Sequence, residues 1–185
     1  MNIQQYKQML EQPWGKIQYE ITFAQLAHLK NKIILDFGSG LGIVSQFLGE
    51  NNEVVAIEPE KEMLFAYPNH TYKKILGSLE QVKKFEAESF DIVLCHNVLE
   101  YIEEYNRENY LSELKRVLKQ DGKLSIIKHN QVGKIMQAVV FSNDVDQALE
   151  LLKGNEFRSV SFNSGTTYTI DELLEMSKMK LENYQ

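Results

Sequence analysis

Five short apolar runs alternate along this chain with longer amphipathic segments, and that alternation is the tightest constraint on its fold. The runs are KIILDF (32–37), EVVAIE (53–58), YKKIL (72–76), FDIVLCH (90–96) and GKLSIIKH (122–129). Short runs rich in Ile, Val and Leu read as strands buried on both faces, as parallel strands are. Helical patterns fill residues 41–49, 60–66 and 105–119. In the last of these, Tyr110, Leu111, Leu114, Val117 and Leu118 form one apolar stripe. A further helix precedes the first strand, with Ile17, Ile21 and Ala24 on the face expected to be apolar. Strands alternating with helices imply βαβ units, so the expected class is α/β, a doubly wound parallel sheet with helices on both faces.

After the fifth run the pattern changes. Residues 131–152 read as mainly helical, and 157–167 as irregular chain or a short edge strand. Thr169, with Glu172 three residues on, is a capping-box signature that opens a helix to about residue 181. There are no repeats and no Pro/Gly-rich linkers, so the 185 residues read as one domain. Within it, residues 1–30 form a helical N-terminal segment, 31–130 a ligand-binding core and 131–185 a helical region.

No stretch approaches about 18 consecutive apolar residues, so no membrane helix is expected. MNIQQYKQML lacks the basic start and apolar run of a secretory signal, and Cys95 has no second cysteine to pair with. Both fit a cytoplasmic setting. The net charge of −6 argues against broad nonspecific nucleic-acid binding. The charge is uneven: residues 86–113 hold eight acids and one base, and residues 115–134 hold six bases and one acid. These windows read first as solvated helix faces and a loop.

The strongest chemical signal is IILDFGSGLG, residues 33–42. A strand carrying Asp36 runs into Gly38, Ser39 and Gly40, then Gly42, before a helix. Glycine lets backbone turn sharply and approach a ligand closely, and the helix start beyond adds exposed N–H groups. The dinucleotide fingerprint G-x-G-x-x-G would need glycine where Ile43 stands. The acid two residues before the first glycine suits a cationic ammonium or sulfonium better than a pyrophosphate. That points to S-adenosylmethionine rather than a nicotinamide cofactor. Glu58 ends the second strand about 20 residues later, placed to accept hydrogen bonds from ribose hydroxyls. Pro59 and Met63 follow, Met63 either covering an adenine face or packing in the core. Ser78 and Leu79, in LGSLEQV after the third strand, are candidates for the adenine edge. His96 and Asn97 fall at the end of the fourth strand, where ligands of open α/β sheets sit. No metal site is expected.

IILDFGSGLG, AIEPEKEML, FDIVLCHNVLEYI and RVLKQDGKLSII occur in the order and spacing of class I S-adenosylmethionine methyltransferases, which the chain resembles over residues 31–130. The resemblance implies a Rossmann-like sheet, S-adenosylmethionine as cofactor and methyl transfer as the reaction. The turn before the fifth strand reads Leu118-Lys119-Gln120-Asp121-Gly122, where the family favours L-K-P-G-G. Over residues 12–152 the chain resembles the tRNA 5-carboxymethoxyuridine methyltransferase subgroup, through PWGKIQYE and through His129-Asn130-Gln131-Val132-Gly133 with Met136 and Asn143. That resemblance implies a carboxylate-bearing wobble uridine as acceptor, with Lys128, His129 and Asn130 on the acceptor side. Gln18 stands where the family often has an arginine against the cofactor's carboxylate. Family members usually have seven strands. No residues remain after the capped helix for the last two, so a sheet without the strand 6–7 hairpin is expected. Its fifth strand would then be covered by residues 157–167 or paired in a homodimer through the exposed edge. A small-molecule methyltransferase and a cofactor-binding module without turnover remain as rivals.

Overall fold

The computed structural model describes residues 3–153 and 165–183. The helical start comprises two helices, α1 (Ile3–Glu11) and α2 (Pro13–Leu26). β1 (Ile33–Phe37), α3 (Ile43–Leu48), β2 (Glu53–Glu58), α4 (Lys61–Leu64), β3 (Lys73–Leu76), α5 (Leu79–Val82) and β4 (Phe90–His96) follow. A 3-10 turn at Leu99–Tyr101 leads to α6 (Glu104–Arg116), β5 (Leu118–Ile127), α7 (Gln131–Met136), a π-turn (Gln137–Phe141), α8 (Val145–Leu152) and α9 (Ile170–Ser177).

The five strands form one sheet in the order β3-β2-β1-β4-β5. β1 pairs in parallel with β2, Asp36 opposite Ala56, and with β4, Asp36 opposite Leu94. β3 is parallel to β2. At the other edge Phe90 N–H donates to Val117 O and Asn97 N–H donates to Ile127 O, so β4 and β5 also run the same way. Between these two bonds β4 advances by fewer residues than β5, whose Lys119-Gln120-Asp121-Gly122 departs from L-K-P-G-G. The order reverses between β1 and β4, which is the switch point where such sheets bind ligands.

Ile34 and Leu35 are adjacent and both fully buried, as are Val93, Leu94 and Cys95. Successive strand residues face opposite ways, so the sheet is covered on both faces, as the apolar runs imply. One core joins Ile34, Val54, Ala56, Ile92 and Leu94 with Leu26 of α2 and Leu48 of α3.

Several expectations are corrected. On α2 the buried residues are Gly15, Thr22 and Leu26, while Ile17 and Ile21 are more than half exposed. The cause is α1: a Cβ on Gly15 would meet Met9 O at 2.6 Å and Leu10 O at 2.8 Å, so α1 crosses α2 at that glycine. α6 stops at Arg116 rather than residue 119, because Val117 O accepts from the N–H groups of Ser89 and Phe90 and so joins the sheet edge. β5 therefore spans 118–127 instead of 122–129. α9 has the expected capping box at Thr169 and Glu172 but ends at Ser177, since Lys178 is left-handed at φ 52°. Residues 157–164 of the expected edge segment lie outside the described residues, and Gly165 makes a single β-bridge.

The chain divides into two compact units. The first comprises residues 1–96 and 113–126, and the second comprises 97–112 and 127–185. In the second, Ala138, Ala148 and Leu151 make a small core with Tyr101 and Ile135.

Asp91 ties two strand starts together inside the first unit. Its Oδ2 accepts from Ile33 N–H at 2.8 Å and its Oδ1 from Lys119 Nζ at 2.9 Å. The Ile33 N–H, followed by Lys119, holds its carboxyl below the usual carboxylate range. We expect Asp91→Ala to lower stability by about 1–2 kcal/mol at pH 7, the scale of hydrogen bonds to a charged group discounted for partial exposure. A depressed folded pKa contributes stability above the unfolded value near 3.9, and that stability is lost as pH falls through the folded one. Thermal melts should therefore separate wild type and variant at pH 7 and converge below about pH 3.

Candidate functional site

The glycine-rich turn between β1 and α3 belongs wholly to the first unit. Gly38, Gly40 and Gly42 have φ of 75°, 57° and 74°. The G-x-G-x-G spacing thus encodes left-handed backbone at alternate residues, a conformation that disfavours a side chain. Gly38 N–H and Ser39 N–H both donate to Ile57 O, fastening the turn to the end of β2. Gly40 N–H donates to Glu58 Oε2 at 2.8 Å, and Glu60 N–H donates to Glu58 Oε1 at 2.9 Å. One buried carboxylate therefore braces the turn after β1 and the loop after β2.

Asp36 is 3% exposed, and its Oδ2 accepts from the Ser45 hydroxyl at 2.6 Å. Burial pushes its pKa up to about 6, against the Ser45 hydrogen bond and with help from the Glu58 charge. Burial also raises the Glu58 pKa, opposed by the Glu60 and Gly40 N–H groups. Ser39 Oγ is buried with no hydrogen-bond partner. Met63 is buried, and its Cε lies 3.3 Å from where a Cβ on Gly40 would stand, so it packs against the turn.

Three tyrosines, Tyr6, Tyr19 and Tyr72, gather at these two acids. Tyr6 and Tyr19 are hydrogen-bonded to each other; Tyr6 lies in electrostatic reach of Glu58, and Tyr19 in reach of Asp36 and Tyr67. Tyr72, on the chain entering β3, is in reach of Asp36. Burial raises the pKa of Tyr6, Tyr19 and Tyr72, so all three stay neutral at pH 7. Phenol rings and carboxylates together make surroundings suited to a cation. Sequence reasoning missed these tyrosines because they come from α1, α2 and the chain before β3, with no spacing to link them. Gln18 is exposed on α2. Its neighbour Tyr19 is the residue of that segment that reaches Asp36.

Ser78 N–H donates to Glu80 Oε1 at 2.8 Å, and Leu79 is buried at the start of α5. Gly77 N–H donates to Glu58 O, which ties this loop to the end of β2. Pro59 lies between Glu58 and Glu60, whose N–H the Glu58 carboxylate accepts. His96 Nε2 is 3.0 Å from Ser125 Oγ, and burial lowers its pKa to about 4, so the ring is neutral and a weak base at pH 7. Asn97 is left-handed at φ 54°, and its N–H donates to Ile127 O.

The three acceptor-side candidates lie in the second unit. Lys128 Nζ donates to His129 O at 3.2 Å and sits 5.0 Å from the centre of the Tyr168 ring. Burial lowers the Lys128 pKa. His129 Nε2 is 3.4 Å from the Tyr101 hydroxyl, and burial, with Lys134 and Lys128, lowers its pKa to about 4. Asn130 is the N-cap of α7, its Oδ1 accepting from Val132 and Gly133 N–H. Its side-chain oxygen is thus used structurally. Among the described residues no cluster of His, Cys, Asp and Glu is arranged to hold a metal, and no helix is long and apolar enough to cross a membrane.

A family described as a methyltransferase domain matches residues 35–126. The chain is 28% identical over 140 residues to a tRNA U34 carboxymethyltransferase of Ruthia magnifica, covering 69% of this chain and 43% of that protein. It is 29% identical over 123 residues to the mitochondrial ubiquinone biosynthesis O-methyltransferase of Bos taurus, covering 60% of this chain and 33% of that one. The chain spans about a third to half the length of the curated relatives it matches. Among solved structures, PH0226 from Pyrococcus horikoshii superposes with a TM-score of 0.68 at 17% identity, covering 91% of this chain and 82% of that one. A Burkholderia thailandensis 1,6-didemethyltoxoflavin-N1-methyltransferase, solved with S-adenosylhomocysteine, gives 0.58 at 16% identity, covering 86% and 63%. At these identities the superpositions establish the fold alone. The glycine turn and the strand order agree with the methyltransferase domain that the family match describes over residues 35–126.

Proposed function

We propose that this chain binds S-adenosylmethionine at the turn between β1 and α3 and transfers its methyl group to a carboxylate on a tRNA wobble uridine. The observation that carries the cofactor half is the turn itself: three left-handed glycines, a braced Glu58 and a buried Ser39 hydroxyl without a partner. A buried polar atom left unpaired asks for a ligand or a water. The sulfonium supplies an already activated methyl group, so the protein's task is alignment and exclusion of water.

In this reading Glu58 holds the ribose hydroxyls with the lone pairs that Gly40 and Glu60 leave free. Asp36, Tyr6 and Tyr19 surround the cationic end, and Tyr19 takes the place that sequence resemblance assigned to Gln18. Pro59 and Met63 back the adenine, Ser78 and Leu79 read its edge, and His96 and Asn97 border the methionine moiety. A carboxylate acceptor is ionised at pH 7 and needs no general base. That fits His96 in the first unit and His129 in the second, each held well below neutral pKa. Lys128 is the cation of the acceptor side, with His129 and Asn130 beside it. The chain after β5 and the likeness to a tRNA U34 carboxymethyltransferase support tRNA as the acceptor. The likeness to ubiquinone biosynthesis O-methyltransferases favours a small molecule methylated on oxygen as the second reading. A cytoplasmic setting, and a homodimer through the β5 edge, complete the proposal.

Calorimetry tests the cofactor site. Gly40→Val places a branched side chain at φ 57° against Met63, and we expect S-adenosylmethionine binding to vanish while the circular dichroism spectrum is retained. Glu58→Gln should weaken S-adenosylmethionine and S-adenosylhomocysteine equally, by about 1.5–3 kcal/mol, because both carry the ribose. Loss of only one ligand would show that Glu58 is not the ribose contact.

The Asp36 pKa near 6 predicts a pH dependence. The ionised carboxylate attracts a cationic ligand and the protonated one does not, so affinity should rise as pH rises through 6. Isotherms at pH 5 and 7.5 should differ in wild type and coincide in Asp36→Asn.

Acceptor identity is read by tritiated methyl transfer onto bulk tRNA, onto tRNA lacking the wobble carboxylate, and onto a metabolite extract. Label confined to the first substrate is the expected result. Label in the metabolite fraction alone would replace the tRNA reading with the small-molecule one.

A further inference from the structure

One face of α2 is apolar and open to solvent. Trp14, Ile17 and Ile21 are 61%, 58% and 53% exposed, and Ala24 is exposed beside them. At 3.6 residues per turn, positions 14, 17, 21 and 24 fall on one stripe. The stripe is not the seat of α1, which crosses at the buried Gly15. Large apolar side chains grouped on one exposed face mark a place of contact. Tyr19, which reaches Asp36, stands on the inward side of the same helix.

The charges beside the stripe say what it contacts. Lys16 and Glu20, four residues apart, line one flank, and both are exposed. The other flank has the uncharged Gln18 and Gln25. Lysine N-terminal to glutamate is the weaker order for a pair within one helix. Among the described residues neither the Lys16 nor the Glu20 side chain makes an ion pair or a hydrogen bond. One edge of an apolar face thus offers an unused charge of each sign, a pattern complementary to itself.

We propose that the outer face of α2 docks a second copy of this chain, with the two α2 helices antiparallel about a two-fold axis at the level of residue 19. Ile17 of one copy then meets Ile21 of the other, and Trp14 meets Ala24, a large residue against a small one. Both pairings have the same centre, as a two-fold contact requires. Antiparallel helices bring each flank against its own copy, so Lys16 of either chain stands near Glu20 of the other. The offset between them is two residues, about 3 Å along the axis and within a lysine's reach. The contact lies in the first unit and is separate from the β5 edge. One helix pair is small among specific interfaces, so the association depends on concentration.

Sedimentation equilibrium of the full chain, at concentrations up to roughly 1 mM, tests the contact. The wild-type mass should rise above that of the monomer with concentration. Lys16→Glu and Glu20→Lys each set like charges against one another at both ends of the contact, and each alone should weaken association at least about tenfold. An equimolar mixture of the two variants should regain wild-type association, and so should the double variant with the charges exchanged, because opposite charges face each other again. Both positions are exposed, so the circular dichroism spectrum should not change. A wild type that stays monomeric throughout would overturn the proposal. Single variants that associate as the wild type does would also overturn it, since the contact would then lie on another face. Weakened variants that fail to recover on mixing would show that Lys16 and Glu20 do not meet across a two-fold axis, and would overturn it too.

Discussion

The Glu58 carboxylate, accepting from Gly40 N–H with one oxygen and from Glu60 N–H with the other, is the interaction on which the candidate cofactor site depends. A turn with left-handed residues at 38, 40 and 42 has few intrinsic hydrogen bonds of its own, and its shape must be imposed from outside. Here it is imposed by the end of β2, through Ile57 O on the backbone side and Glu58 on the side-chain side. Parallel pairing of β1 with β2 makes that possible, because Phe37 and Ile57 are register partners and both strands end at one level. An antiparallel neighbour would put a strand start there instead.

The same geometry accounts for the acid pair. Asp36 and Glu58 lie at the ends of adjacent strands, deep enough that burial raises both pKa values. Ser45 and two backbone N–H groups only partly offset the lost hydration. Neutral phenols line the pair, with Lys7 Nζ 4.9 Å from the Tyr67 ring centre and Lys74 Nζ 5.3 Å from that of Tyr72. Two buried carboxyls beside a glycine-rich turn suit a cationic ligand better than a phosphate.

In the second unit the described polar groups hold the chain after β5 in place: Arg107 donates to three carbonyls, Glu100 accepts from His129 N–H, and Asn130 caps the start of α7.

Much of this was legible in the linear chain. The strand runs at 53–58 and 90–96 match the observed elements residue for residue, because a strand buried on both faces must be apolar at consecutive positions and little else is. The G-x-G-x-G turn and the Thr169 capping box were equally legible, since each is a local conformation that only certain residues tolerate. The buried face of α2 was not, because α1 packs over Gly15 and leaves Ile17 and Ile21 exposed, a choice made by a neighbour rather than by periodicity. The end of α6 was not, because the Val117 carbonyl accepts from Ser89 and Phe90 N–H at the sheet edge instead of continuing the helix. Nor were Tyr6, Tyr19 and Tyr72, whose significance lies in what stands beside them. Sequence by itself determined the elements, the glycine turn and the two strand-end acids, all of which follow from short-range backbone sterics and hydrophobic pattern. Tertiary structure alone decided which groups surround those acids and which buried oxygen has no donor, because burial and electrostatic reach depend on residues far apart in the chain.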